Sequence, residues 1–258
     1  MSDVYRQALA KQHWAEQHIG KLEATLAQFR AANPNIVMPK QDTETGEVTY
    51  YVFHVPAIPD EIPLIIGDAL NCLRSALDYM ACGMVVAGGG KVDSKTKFPI
   101  RKVAADWEGS VKTLVDGAGR MALQALRDIK PYEAGNPLLW MLHTFNNIDK
   151  HRLLLTMQLV KSGSTLHTDE MSDFVSSHPG GLWFGSHYVH SSGPEPVPLK
   201  ANQEIRTVPA AKAHEYVGFS INVSFGEANL PKGTPVELLV KLISGEVACV
   251  LRDLAPYV

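Results

Sequence analysis

The segment LIIGDALNCLRSALDYMACGMVV, residues 64–86, carries the clearest helical pattern in the sequence and decides the predicted fold. Its apolar side chains recur three or four positions apart, which places them along one face of an α-helix. The members of this apolar face are Ile66, Leu70, Leu73, Leu77, Met80 and Met84. A second face groups the polar residues Asn71, Arg74, Ser75 and Asp78. We therefore predict a bundle helix with one buried face and one face that can carry chemistry.

Helical periodicity also appears on both sides of this segment. The other predicted helical stretches are residues 3–31, 103–129, 138–155 and 235–254, and the second of these holds one helix or two helices divided near Gly117 or Gly119. Residues 35–46 are polar and contain Pro39 and Gly46, so we predict a loop there.

The composition shifts after Lys161 toward Gly, Ser, Pro and His, and this shift predicts a β-rich region before the last helix. The predicted strands are residues 48–55, 182–190, 204–208 and 216–225. The fold class that follows is α+β: a helical bundle with a β-rich insertion before the last helix. We predict a single domain over residues 1–258, with a helical part at about 1–160 and 235–258 and a β-rich part at about 161–234.

Composition excludes several classes of protein. The 24 Lys and Arg against 27 Asp and Glu give a formal net charge of -3, which argues against coating nucleic acid through bulk positive charge. Charged residues within 64–86 argue against a membrane span. The 3 cysteines form no CxxC pair, and the N-terminal residues show no secretory pattern. We therefore expect reduced thiols and a cytoplasmic location.

The segment NNIDKHR, residues 146–152, is the second concentration of polar residues inside an apolar helix. His143, Asn147, Lys150 and His151 share one helical face. Histidine can move a proton near neutral pH, and lysine and arginine can hold a phosphate or a carboxylate. If this face meets the polar face of residues 64–86, one cleft results. Its candidate residues are His151 and Arg74 for catalysis, and Asn71, Asp78, Asn147, Lys150 and Arg152 for ligand binding. The alternative interpretation is a buried hydrogen-bond network that fixes the register of the bundle.

The sequence predicts neither a metal site nor a cofactor. Five histidines lie in the C-terminal half, at 167, 178, 187, 190 and 214, but no HExxH motif and no nearby cysteine accompanies them. The run GGGK at 88–91 lacks the preceding glycine and the following Ser or Thr of a phosphate-binding loop.

Four segments, IIGDALNCLRSALDYM at 65–80, FPI at 98–100, IKPY at 129–132 and LHTFNNIDKHRLLL at 142–155, resemble a widespread set of uncharacterised bacterial and phage-associated proteins. In that set the corresponding helices often read GD-x-x-x-NLRSALDH and L-x-x-x-NNIDKHR. Arg74 also resembles the arginine of HEPN ribonucleases, in which a histidine follows after four intervening residues; here that position is Tyr79. This wider resemblance implies a HEPN-like bundle and metal-independent RNA cleavage, with His151 as a candidate replacement imidazole.

Two functional hypotheses follow. The first is a cytoplasmic protein with a HEPN-like bundle whose polar cleft binds RNA or another anionic ligand and which is a degenerate ribonuclease. The second is a non-enzymatic interaction or structural protein in which NNIDKHR is a hydrogen-bond lock in the core. A homodimer is expected because the first two predicted helices present broad apolar stripes, and HEPN-like proteins commonly pair.

Overall fold

A computed structural model describes residues 2–151, 155–167, 198–212, 216–226 and 233–258. Some predictions lie outside these residues: the strand at 182–190, Arg152, and the histidines at 178, 187, 190 and 214. The side chains of His151 and His167 lie outside the description as well, although their backbones belong to a helix and a strand.

The described residues form six α-helices and five β-strands, which confirms the predicted α+β class. The helices are α1 Asp3–Ala32, α2 Glu61–Ala87, α3 Ala104–Leu114, α4 Arg120–Ile129, α5 Pro137–His151 and α6 Val236–Leu254. The strands are β1 Val37–Gln41, β2 Val48–Val52, β3 Met157–His167, β4 Glu204–Val208 and β5 Tyr216–Phe225. Strands β4 and β5 precede the last helix at the predicted residues, whereas β3 lies where the sequence predicts no strand. None of the helices in the described part combines the length and the apolar character that a bilayer span requires.

The chain divides into two compact units. The helical unit comprises Met1–Ala27, Pro59–Leu155 and Glu237–Val258, and the β unit comprises Gln28–Ile58 and Thr156–Val236. Helix α1 contributes to both, because its last turn belongs to the β unit.

The core of the helical unit is built around α2. All six residues of its predicted apolar face are fully buried, which confirms the stripe read from the sequence. Helix α5 packs against α2, with Asp149 beside Gly67 and His143 near Arg74. Gly67 and Arg74 of α2 thus lie beside Asp149 and His143 of α5, in the opposite order along the chain, so the two helices are antiparallel.

The stretch 103–129 contains two helices because the chain turns sharply between them. Gly117 has a φ of +84°, in the left-handed region that favours glycine. A Cβ atom at this position would lie 2.5 Å from the Cα of Gly90, so the backbones also approach too closely for a side chain. Gly117 thus permits the turn between the end of α3 at Leu114 and the start of α4 at Arg120.

The β unit contains two antiparallel sheets. The first has the strand order β1-β2-β4, and the second pairs β3 with β5 from Met157↔Phe225 to His167↔Tyr216. The prediction that residues 35–46 form only a loop is wrong, because Val37–Gln41 pairs with β2. Pro39 is tolerated there because β1 is an edge strand, where a missing N–H group disrupts no ladder on its outer side.

Candidate functional site

Arg74 and Asp78, one turn apart on α2, hold the backbone of Phe98 from both sides. The guanidinium donates from Nη2 to Asp78 Oδ1 at 2.8 Å and from Nε to Asp78 Oδ2 at 3.3 Å. Nη2 also donates to the carbonyl oxygen of Phe98 at 2.7 Å, while Asp78 Oδ1 accepts the N–H of Phe98 at 2.9 Å. This four-bond arrangement, here called the Phe98 clamp, fixes the chain after α2 against the helix.

The clamp explains how a charged residue lies in the core. Arg74 is only 5% exposed, and the cost of burying its charge is offset by the partly exposed carboxylate of Asp78 and by a backbone carbonyl. Its remaining nitrogen, Nη1, is buried and has no hydrogen-bond partner among the described residues. The two N–H donors of Nη1 are therefore left over after the clamp is formed.

His143 of α5 is the imidazole that lies within the electrostatic reach of Arg74. Burial, and then the positive charges of Arg74, Arg101 and Lys97, lower the pKa of His143 from its usual 6.5 to about 4. The ring is consequently neutral at pH 7. Its Nε2 lies 3.0 Å from Asn147 Nδ2, and because an amide nitrogen can only donate, Nε2 is the acceptor and Nδ1 carries the proton.

The segment Lys97–Arg101 supplies two of these positive charges and is held in place at several points. The N–H of Lys97 donates to Leu114 O at 3.1 Å, and that of Arg101 donates to Pro131 O at 3.2 Å. Trp107 Nε1 donates to Pro99 O at 2.7 Å. With the Phe98 clamp, these bonds fix the backbone that carries both cations. We call Arg74, Lys97 and Arg101 around His143 the cationic cluster.

The other predicted site residues occupy different positions. Asn71 is half-buried on α2, whereas Asn147 and Lys150 are exposed on α5. Lys150 acts electrostatically on its neighbour Asp149. Tyr79, at the position of the HEPN histidine, is 37% exposed. The structure thus brings together Arg74, Asp78 and the face of α5 that carries His143 and Asn147.

Asp149 marks a second contact between α2 and α5. A Cβ atom at Gly67 would lie 2.6 Å from Asp149 Oδ1, so the carboxylate occupies space that only glycine leaves open. Burial, and then the negative charge of Asp68, raise the pKa of Asp149. Asn146, 4% exposed, points its Oδ1 into the protein without a hydrogen-bond partner among the described residues. No group of three or more potential metal ligands occurs in the described part of the chain.

Sequence reasoning missed Lys97 and Arg101 as site residues. A signal was present, since the two cations bracket the apolar tripeptide Phe98–Ile100. It could not be interpreted without knowing that this tripeptide is tied to Arg74 on α2. The sequence pattern groups His143 with Asn147 on one face of the helix but favours His151 as the imidazole, and the side chain of His151 lies outside the described residues.

Comparison of the chain with models of protein families, with curated proteins and with solved structures gave no significant match in any of the three. The functional proposal therefore rests on the residues themselves.

Proposed function

We propose that the helical unit binds a phosphate-bearing ligand, with RNA as the candidate, at the cationic cluster. The observation that carries the proposal is that the Phe98 clamp holds the segment with Lys97 and Arg101 against Arg74, and that all three cations act electrostatically on His143. In a chain whose formal net charge is -3, this is a local concentration of positive charge.

The chemistry of the cluster suits a phosphate group. Arginine and lysine are the usual phosphate-binding side chains, and the protonated Nδ1 of His143 adds a neutral donor. Arg74 is buried, so the exposed Lys97 and the half-buried Arg101 are the cations that a phosphate can contact directly. Because Asp78 already pairs with Arg74, an anion bound here would mainly compensate the charges of Lys97 and Arg101.

The test compares two double variants that each lose one lysine and one arginine. Lys97→Ala with Arg101→Ala removes the cluster cations, and Lys112→Ala with Arg120→Ala removes two exposed cations from α3 and α4. We expect the first pair to weaken binding of a fluorescent oligoribonucleotide about tenfold or more, and to reduce the slope of log affinity against log salt by about 2. The second pair should change both quantities little. Equal losses in both pairs would show that binding is not located at the cluster.

Cleavage is the further form of this proposal, with Arg74 and His151 as its catalytic residues. Arg74 is held in the Phe98 clamp, and Tyr79 stands where HEPN ribonucleases have a histidine. We therefore expect labelled RNA to be bound but to remain intact in the presence of a chelator. Metal-independent cleavage that is lost in His151→Ala would instead assign a ribonuclease activity.

The structural alternative is favoured by a separate observation, the buried contacts of the Phe98 clamp and of Asp149 with Gly67. Under this alternative, variants at the clamp lose stability and the cluster variants bind RNA as the wild type does. A cytoplasmic location and a homodimer complete the leading proposal. The three free cysteines support the cytoplasmic location. The exposed apolar side chains of Trp14 and Leu64 on the first two helices support the homodimer.

A further inference from the structure

The β unit contains a cavity of about 580 Å³ that the proposed function does not use. The end of α1 and the segment after it form one wall, and facing residues of the two sheets form the others. The lining residues are Phe29, Arg30, Asn33, Pro34, Ile36, Val37, Pro39, Tyr50, Leu159, Ile221 and Val223. Most are apolar, and none of these residues is an aspartate or a glutamate. The volume and lining are typical of a small-molecule site.

The sheet registers place two further cations on the faces that line this cavity. Leu159 and Val223 are directly opposed on β3 and β5, and so are Lys161 and Ile221. Opposed residues in an antiparallel pair share a face, and residues two apart on a strand do too. Lys161 therefore lies on the same face as the lining residues Leu159, Ile221 and Val223.

Arg206 is placed by the same reasoning on the first sheet. It is directly opposite Tyr50, which lines the cavity. Burial, and then the charge of Arg206, lower the pKa of the half-buried Lys161, so the two cations of different sheets lie within electrostatic reach of one another. These two cations give an otherwise apolar cavity a positively charged side.

We propose that this cavity binds a small amphipathic carboxylate, whose apolar body lies against the sheet residues and whose carboxylate contacts Lys161 and Arg206. An anion between these two cations removes a repulsion that the ligand-free protein carries. Burial of an apolar chain against Leu159, Ile221 and Val223 contributes the hydrophobic part of the affinity. A neutral ligand of the same shape would gain only the hydrophobic part of the affinity.

The experiment measures decanoate and decanol binding to the full chain by isothermal titration calorimetry. We expect decanoate to bind at least about tenfold more tightly than decanol, because a charge-assisted hydrogen bond contributes roughly that factor. Lys161→Met keeps the length of the side chain but removes its charge, so it should abolish most of the preference. Ile221→Trp fills part of the cavity and should weaken both ligands.

Lys200→Met is the matched control, because Lys200 is exposed in the same unit and lies outside the strands whose faces line the cavity. It should bind both ligands as the wild type does. If Lys161→Met fails to fold by circular dichroism, Arg206→Met replaces it with the same expectation. The proposal is overturned if wild-type protein does not bind decanoate, if decanoate and decanol bind equally, or if the Lys161 and Lys200 variants behave alike.

Discussion

Replacing His143 with glutamine should change how the stability of the protein depends on pH. Burial and the charges of Arg74, Arg101 and Lys97 lower the pKa of His143 to about 4, below its usual 6.5. Between these two pH values the unfolded chain binds a proton at this histidine that the folded chain does not. The folded state of the wild type therefore loses stability as the pH falls from about 6.5 toward 4. Glutamine does not titrate, and its side-chain oxygen can still accept the hydrogen bond from Asn147.

The size of the effect follows from the difference between the two pKa values. A drop from 6.5 to about 4 corresponds to roughly 3 kcal/mol if the whole difference appears in the free energy of unfolding. His143 is only partly buried, so solvent screens the neighbouring charges, and we expect about 1–2 kcal/mol of this to be measured. About three quarters of the difference should be present at pH 4.5, and almost none of it at pH 7.

Urea unfolding at pH 7, 6, 5 and 4.5 measures the free energy for the wild type and for His143→Gln. Other groups titrate in this range, but they do so in both proteins, and the difference between the two curves isolates His143. His54→Gln, at an exposed position between β2 and α2, is the control and should follow the wild type. Parallel curves for wild type and His143→Gln would refute the conclusion that burial and the cationic cluster keep this imidazole neutral.

Three further variants test the contacts around α2. Arg74→Met should lower the free energy of unfolding by about 3–5 kcal/mol in urea titrations, because Asp78 and the carbonyl of Phe98 lose their buried partner; a loss below 1 kcal/mol would contradict the clamp. Gly67→Ala should destabilise the wild type by about 1–3 kcal/mol, since its Cβ would lie 2.6 Å from Asp149 Oδ1. In an Asp149→Ala background the same change should stabilise the protein by up to about 1 kcal/mol. A double-mutant cycle without coupling would be inconsistent with the contact. Burial and a like charge raise the pKa of Asp149, so its charged form opposes folding above that pKa. Asp149→Asn should therefore stabilise the protein at pH 7 by a few tenths of a kcal/mol. Thermal melts should show that this gain becomes smaller toward pH 4.

The helices were predictable because each carries its own periodic apolar pattern. The predicted segment 64–86 extends in the structure to Glu61–Ala87, and 235–254 becomes Val236–Leu254. The division of 103–129 was visible as glycines, and the positive φ of Gly117 shows why a glycine stands there. In these elements local sequence and final packing favour the same conformation.

Strands β1 and β3 escaped prediction for different reasons. Strand β1 contains Pro39 and the polar Lys40 and Gln41, which favour a loop, and it forms by pairing with the neighbouring β2. Strand β3 forms by pairing with distant residues. Gly163 and neighbouring serines give β3 a weak local preference for a strand, and the register shifts between Lys161 and Gly163. Its partner is β5, about 60 residues away along the chain, which supplies the hydrogen bonds that residues 157–167 cannot make locally. Lys97 and Arg101 escaped recognition for the same reason, since their significance depends on the long-range clamp at Phe98.

The clamp also relates the two functional hypotheses to each other. Lys97 immediately precedes Phe98 and Arg101 follows it by three residues, so the backbone that Arg74 and Asp78 hold is the backbone that carries both outer cations. A buried pair that serves as a structural lock therefore sets the position of the proposed phosphate contacts. Loss of stability on removing Arg74 is consequently expected under both hypotheses. Only variants of Lys97 and Arg101, which leave the clamp intact, distinguish the RNA-binding hypothesis from the structural one.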